Sequence, residues 1–332
     1  MEGRSCLDVD YILPLKWTDD SCLGGLVRYL ELLAAHVRVI VVDGSREDLY
    51  SAHASAFLAR VRHCRPKHPE CLNGKVDGVL TGLDLAGARL VIIADDDVRY
   101  TLAQLYRIVE LLQGADVVRP QNYFPSPMPW HARWDTGRTL LNRALGADYP
   151  GTMALRTRTL EDAGGYSGDV LFENLELLRT VRAAGGKELH APDLFVARLP
   201  CSTAHFLRQR VRQAYDDFAQ PLRLTAELAL LPALVWCARR PVRLLPAAAA
   251  VVVAAECGRR RNGGQRVFSP TAALWAPLWL IERAVCVWVA MQWRLRGGIP
   301  YAGTRLRTAA HSVRRLRRTV GGTAAASASA GT

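Results

Sequence analysis

The chain has 332 residues, half of them hydrophobic, with 43 Lys and Arg against 31 Asp and Glu for a net charge of +12. That length holds one large domain or two modest ones, and the apolar share lies at the upper edge for a soluble protein, which points to membrane contact. Arginine clusters at 239–240, 259–261 and 314–315 suit anionic lipid or a phosphate-bearing substrate, but no zinc-finger spacing or RNA-binding aromatic motif accompanies them, so nucleic acid is excluded as a partner.

MEGRSCLDVD opens the chain with charges rather than a long apolar segment, so no signal peptide is expected. VDYILPL at 9–15 reads as a first strand, closed by Pro14 and a polar loop, and apolar residues at helical spacing follow from Leu23 to Ala35. Val37–Val42 reads as a second buried strand ending at Asp43-Gly44-Ser45, and Ser51–Val61 as a helix. A Pro, His and Cys-rich loop reaches Leu72. The eight cysteines are scattered without a CxxC pair, which suits reduced cysteines in a cytosolic compartment.

GKVDGVLTGLDL at 74–85 reads as a helix leading into a central strand, Leu90–Ala94. That strand runs straight into Asp95, Asp96 and Asp97. Three carboxylates at the end of a buried strand repel one another and lose hydration, so a fold tolerates them best beside a cation. Hard divalent ions such as magnesium take oxygen ligands and keep coordination sites for substrate phosphates. A solvated, Asp-rich turn is the plain alternative. Thr101 can cap a helix whose apolar face is Leu102, Leu105, Ile108 and Leu112, and 116–119 returns as a strand. Strand–helix alternation of this kind implies an α/β protein with a largely parallel sheet, its acidic strand ends on the edge where such sheets bind ligands.

From Pro125 the pattern changes. Trp130, Trp134, Leu140, Leu141 and Leu145, mixed with arginines, fit either a helix in a membrane interface or one packed on its own domain. Arg158–Ala163 and Leu175–Ala184 read as helices stopped by Gly164-Gly165 and Gly185-Gly186, with a strand near 194–197. After Gln220 come apolar runs at 222–238, 242–257 and 270–293, none with the ~18 uninterrupted apolar residues of an unambiguous span. The first two suit a short bilayer hairpin, and the tryptophans of the third suit an interfacial or re-entrant segment.

Several segments together resemble a family-2 inverting glycosyltransferase of the GT-A fold. They are YILPLKW, RVIVVDGS, NGKVDGVLTGL, VIIADDDV, PGTMALRTRTLEDAGGY, LFENLELLRTVRAAGG and QRVRQAY, in the family's order, with a membrane-associated tail similar to ceramide-glucosyltransferase-like members. The resemblance implies a GT-A nucleotide-sugar-binding domain over 1–220 with a mostly parallel sheet, and membrane-associated apolar helices over 221–296. A cytosol-facing Gly/Arg segment over 297–320 and a disordered tail over 321–332 complete that expectation.

By the same resemblance, Asp95 and Asp97 form the metal pair (Mg or Mn), with Asp95 also on the nucleotide ribose. Asp43 meets the base, Lys75 sits near the nucleotide, and Gln209 and Arg212 lie at the acceptor and diphosphate side. The family's base is the second residue of a Glu-Asp pair. Here that position is Asn174, which cannot accept a proton near neutral pH, so Glu173 is the candidate and Asp169 the substitute. Gln213 replaces the tryptophan that ends the family's Gln-x-x-Arg-Trp motif. The expected activity is inverting transfer from a nucleotide sugar, a uridine one, to a lipid or lipid-linked acceptor at the cell membrane, with the catalytic domain cytoplasmic. The Asn174 and Gln213 departures leave an inactive scaffold as the alternative, beside a peripheral protein of anionic membranes.

Overall fold

A computed structural model describes residues 7–146 and 148–320. The expected disordered tail lies outside them. The described residues form two compact units, one within 1–119, 150–191 and 311–332 and the other within 120–149 and 192–310.

In the first unit, β1 (Val9–Leu15), β2 (Arg38–Asp43), β3 (Val61–Cys64) and β4 (Leu90–Ala94) lie parallel in the order β3-β2-β1-β4. β1 is buried along almost its whole length, as a strand inside a helix-covered parallel sheet must be. Register pairs Leu15 with Asp43 and Ile12 with Ile93, so β2 and β4 end on one edge. Buried Asp10 ties the strands together, accepting from Arg38 Nε at 2.7 Å and from the Gly87 and Ala88 amides at 2.7 Å each. α1 (Leu23–Ala34), α2 (Glu47–Ala56) and α3 (Gly74–Leu85) are the crossovers.

After the acidic triplet come β5 (Val98–Arg99) and α4 (Leu102–Leu111). Thr101 caps α4 as expected, in a reciprocal box with Gln104. β6 (Val117–Tyr123) leads out of this unit. α5 (Trp130–Leu145) follows, and then the first unit resumes with β7 (Thr152–Arg156), antiparallel to both β4 and β6. α6 (Thr157–Glu161), α7 (Glu173–Ala183) and β8 (Glu188–Arg198) close the sheet order β3-β2-β1-β4-β7-β6-β8-β5. The sheet is thus mixed but mostly parallel. Two sequence expectations differ from it: β3 stands where the last residue of a helix and the start of a loop were expected, and α2 begins at Glu47 rather than Ser51. Glu47 and Asp48 in its first turn favour that earlier start through the helix dipole.

The second unit is helical: α5, α8 (Thr203–Tyr215), α9 (Pro221–Ala238), α10 (Leu244–Arg260) and α11 (Ala276–Leu295). Of the two readings of 130–145, packing prevails over an interfacial helix. Leu140 and Leu141 are buried with Ala255, Phe268, Ala276 and Trp279, and Arg143 is buried on the Gly258, Pro192 and Gln121 oxygens. The hairpin β9 (Ile299–Tyr301) and β10 (Thr304–Leu306) turns through Ala302 and Gly303, both at positive φ, where only a Gly-rich segment was foreseen.

The helices Pro221–Ala238, Pro241–Arg266 and Ala272–Leu295 are long and apolar enough to cross a membrane. Within the unit they leave most of that surface uncovered, with 6%, 11% and 33% of each apolar window buried. α10 approaches α5 so closely that a Cβ on Gly258 would land on the Leu140 carbonyl oxygen. Because a backbone cannot move aside as a side chain can, Gly258→Ala is expected to cost about 3 kcal/mol or more. Thermal unfolding of the detergent-solubilised variant checks this, and an unchanged midpoint contradicts it.

Candidate active site

The acidic triplet, Lys75, Glu173 and Asp43 all lie in the first unit, where β2 and β4 end on one edge. β4 delivers Asp95, Asp96 and Asp97, all half-buried. α3 starts at the same edge because Asn73 caps it, its side chain accepting from the Lys75 amide at 3.0 Å and donating to the Val170 carbonyl at 2.9 Å. That cap fixes Lys75 in the first turn. Lys75 Nζ then lies 2.5 Å from Asp95 Oδ1 and 2.8 Å from Glu173 Oε1. Burial works against the lysine's charge, yet the two carboxylates outweigh it and hold its pKa well above the ordinary value. Lys75 therefore stays cationic at any physiological pH.

Glu173 opens α7, where the helix dipole favours a carboxylate. Its side chain is 12% exposed, and Oε2 carries no hydrogen bond among the described residues. One turn on, buried Glu176 accepts from the His311 amide at 2.7 Å and from His311 Nδ1 at 2.8 Å, while Arg179 donates to the His311 carbonyl at 2.8 Å. The segment after the hairpin thus clamps the helix that presents Glu173. Asn174 donates to the Pro150 carbonyl at 3.0 Å, so it fastens α7 to the strand entering β7. Asp169 is exposed.

The Trp17 indole N–H donates to the Asp96 carboxylate. Asp95 is seated against Gly151, where any Cβ would run into its carboxylate, and its amide donates to the Gly151 carbonyl at 2.8 Å. The hard oxygen donors of Asp95 and Asp97, with this cradle shaped around one of them, fit a magnesium- or manganese-type ion.

Asp43 departs from expectation. It ends β2 at the right edge but is fully buried. Oδ1 accepts from the Ser45 amide at 2.8 Å, and Oδ2 meets His53 Nδ1 at 2.6 Å and His63 Nε2 at 3.1 Å. Burial would raise this carboxyl, but hydrogen bonds from His63, Ser45 and His53 outweigh it and hold it well below the carboxylate range. A carboxylate so occupied cannot reach a nucleobase without giving up those partners.

Gln209 and Arg212 lie on α8 in the second unit. Gln209 pairs with His205 at 2.9 Å, and the Arg212 guanidinium lies 4.6 Å over the Tyr301 ring. Arg210, between them on the same helix, is buried against Asp135 and Glu282 at 3.3 and 3.6 Å. Sequence reasoning missed Trp17, Gly151, His53 and His63. The available signals were a tryptophan two residues after the first strand and the glycine in the PGTMALR segment.

Residues 23–166 match the model of Glycosyl transferase family 2. Over that stretch, less than half of the chain, the sequence is similar to family-2 glycosyltransferases, which indicates a glycosyltransferase. Among solved structures, it is similar to the mannosyltransferase PcManGT from Pyrobaculum calidifontis in complex with GDP-Man and Mn2+, at 19% identity and a TM-score of 0.52, covering 85% of this chain and 87% of that one. The shared fold is GT-A-like. Mannosyl-3-phosphoglycerate synthase from Rubrobacter xylanophilus is similar at 17% identity and a TM-score of 0.41, over 61% of this chain and 70% of that one. No curated protein sequence matches the chain.

Proposed function

We propose that the protein is an inverting, membrane-associated glycosyltransferase that moves a sugar from a nucleotide sugar to a lipid or lipid-linked acceptor. One observation carries this reading: Lys75 joins Asp95, on the donor side, to Glu173, the candidate base, through contacts of 2.5 and 2.8 Å. Asp95 and Asp97 would hold the divalent ion, which neutralises the charge that develops on the departing diphosphate. Lys75 adds a fixed positive charge beside it. Glu173 keeps Oε1 on Lys75 and takes the acceptor hydroxyl's proton at Oε2. Trp17 restrains Asp96, and Asn174 holds α7 in register with the strand edge.

The similar mannosyltransferase was solved with GDP-mannose and Mn2+, so guanosine donors stand beside the uridine donors expected from sequence, and Mn2+ beside Mg2+. The lipid acceptor is supported by the three apolar helices. α9 alone has 18 residues, about 27 Å of helix against a hydrocarbon core of about 30 Å. The proposed orientation keeps the catalytic domain cytoplasmic, where nucleotide sugars are.

The test is to incubate the detergent-solubilised full-length chain with labelled UDP- and GDP-sugars, Mn2+ or Mg2+, and a total lipid extract. The reading expects label in the organic phase with inverted anomeric configuration. No transfer from any donor, or retention of configuration, contradicts it. The same chain in native membranes is expected to resist carbonate extraction, and release into the soluble fraction contradicts the membrane part.

A further inference from the structure

We propose that Asp43, His53 and His63 form a second metal site, of the zinc type, separate from the Asp95–Asp97 edge. The three come from the end of β2, the last turn of α2 and β3. His53 Nδ1, His63 Nε2 and an Asp43 carboxylate oxygen all lie within 4.8 Å of one another. Tetrahedral zinc with bonds of about 2.0–2.1 Å sets its ligand atoms about 3.3 Å apart, so the cluster needs shifts of around an ångström to close on an ion. Two imidazoles and one carboxylate suit zinc, whereas magnesium and calcium take all-oxygen sets.

The surroundings already orient the ligands. Asp20 Oδ1 lies 2.9 Å from His53 Nε2, the carboxylate–histidine pairing that supports metal-bound imidazoles. With an ion bound, Nε2–H would donate to Asp20, and Nδ1, which otherwise donates to Asp43, would turn its lone pair to the cluster centre. The Ser45 amide holds the other Asp43 oxygen. Tyr50 stacks on His63 at 4.3 Å, Phe57 meets it edge-on at 5.1 Å, and Trp17 meets His53 edge-on at 5.6 Å. The rings exclude water, and His53 and Asp43 are fully buried. The charges of Asp43 and Asp20 balance a divalent ion. An ion here would staple α2 and β3 to the end of β2, beside the donor edge but not on it.

The test uses the full-length chain carrying Asp97→Ala, so that the other acidic edge is disabled, stripped with chelator and titrated with Zn2+ by calorimetry and Co2+ by visible absorption. One Zn2+ per chain, tetrahedral Co2+ bands and a zinc-dependent rise in the unfolding midpoint are expected. His63→Gln should abolish all three. Asp20→Asn, which keeps all three ligands and covers the case where His63→Gln folds poorly, should weaken Zn2+ by about 10–100-fold. Absence of zinc binding in the parent, or equal affinity in parent, His63→Gln and Asp20→Asn, overturns the proposal and leaves the cluster a hydrogen-bonded knot only.

Discussion

Glu173→Gln is expected to lower single-turnover transfer by about a hundred- to ten-thousand-fold while nucleotide-sugar affinity changes no more than a few-fold. The substitution keeps the shape of the side chain, and its amide oxygen can still accept from Lys75, which in the wild type sits 2.8 Å from Oε1. What disappears is basicity at the second oxygen. The split between rate and affinity distinguishes a base from a residue that merely holds Lys75, because losing the latter would weaken the donor side as well. Asn174→Asp removes the donor to the Pro150 carbonyl and restores the family's pair, so it should be tolerated and can add rate only if the acceptor hydroxyl reaches that carboxylate. Normal turnover in Glu173→Gln would move the base elsewhere.

Asp148→Ala is the largest expected loss of stability. This buried carboxylate accepts from Arg138 Nη1 at 2.8 Å, Asn142 at 2.9 Å, Thr139 at 3.1 Å and Gln121 at 3.3 Å. Removing it strands those donors and leaves Arg138 with Asp135, at 2.9 Å, as its other carboxylate partner. Breaking a buried pair from one side costs about 3–5 kcal/mol. The pH dependence has a definite sign. Burial raises the Asp148 carboxyl, but the Arg138 charge and the Asn142 and Thr139 hydrogen bonds outweigh it, so its native pKa lies below the unfolded value of about 3.9. A depressed carboxylate contributes stability above the unfolded pKa and loses it as pH falls through the native one. The gap between wild type and Asp148→Ala, followed by thermal unfolding, should therefore be full at pH 7 and narrow in acid below about pH 4. A gap that widens in acid would contradict this account.

The parts of the fold that sequence reasoning found are those where local chemistry and burial agree. β1, α3 and β4 occupy the expected residues because strands covered on both faces read as unbroken apolar runs, and because Asn73 and the glycines of α3 punctuate it. β3 was invisible because VRHC carries Arg62 and His63 and owes its strand character to pairing with β2. Within the site, Asp95 and Lys75 were recognisable one by one, but their convergence with Glu173, 98 residues from Lys75, is a product of the fold. Asp43 was placed on the correct strand end, and its burial could not be foreseen. That burial comes from His53 and His63, single histidines in separate elements with no spacing signature to join them.

Isothermal calorimetry of UDP and GDP on the detergent-solubilised full-length chain, with Mn2+ or Mg2+ and with chelator, comparing wild type with Asp97→Ala, tests the central claim most directly. Asp97 follows the end of β4 and is half-exposed, so the substitution should leave the unfolding midpoint in place. The account predicts that the wild type binds at least one of the two nucleoside diphosphates only when the metal is present, and that Asp97→Ala loses this metal-dependent binding. Equal affinity in both proteins, with and without metal, would contradict it.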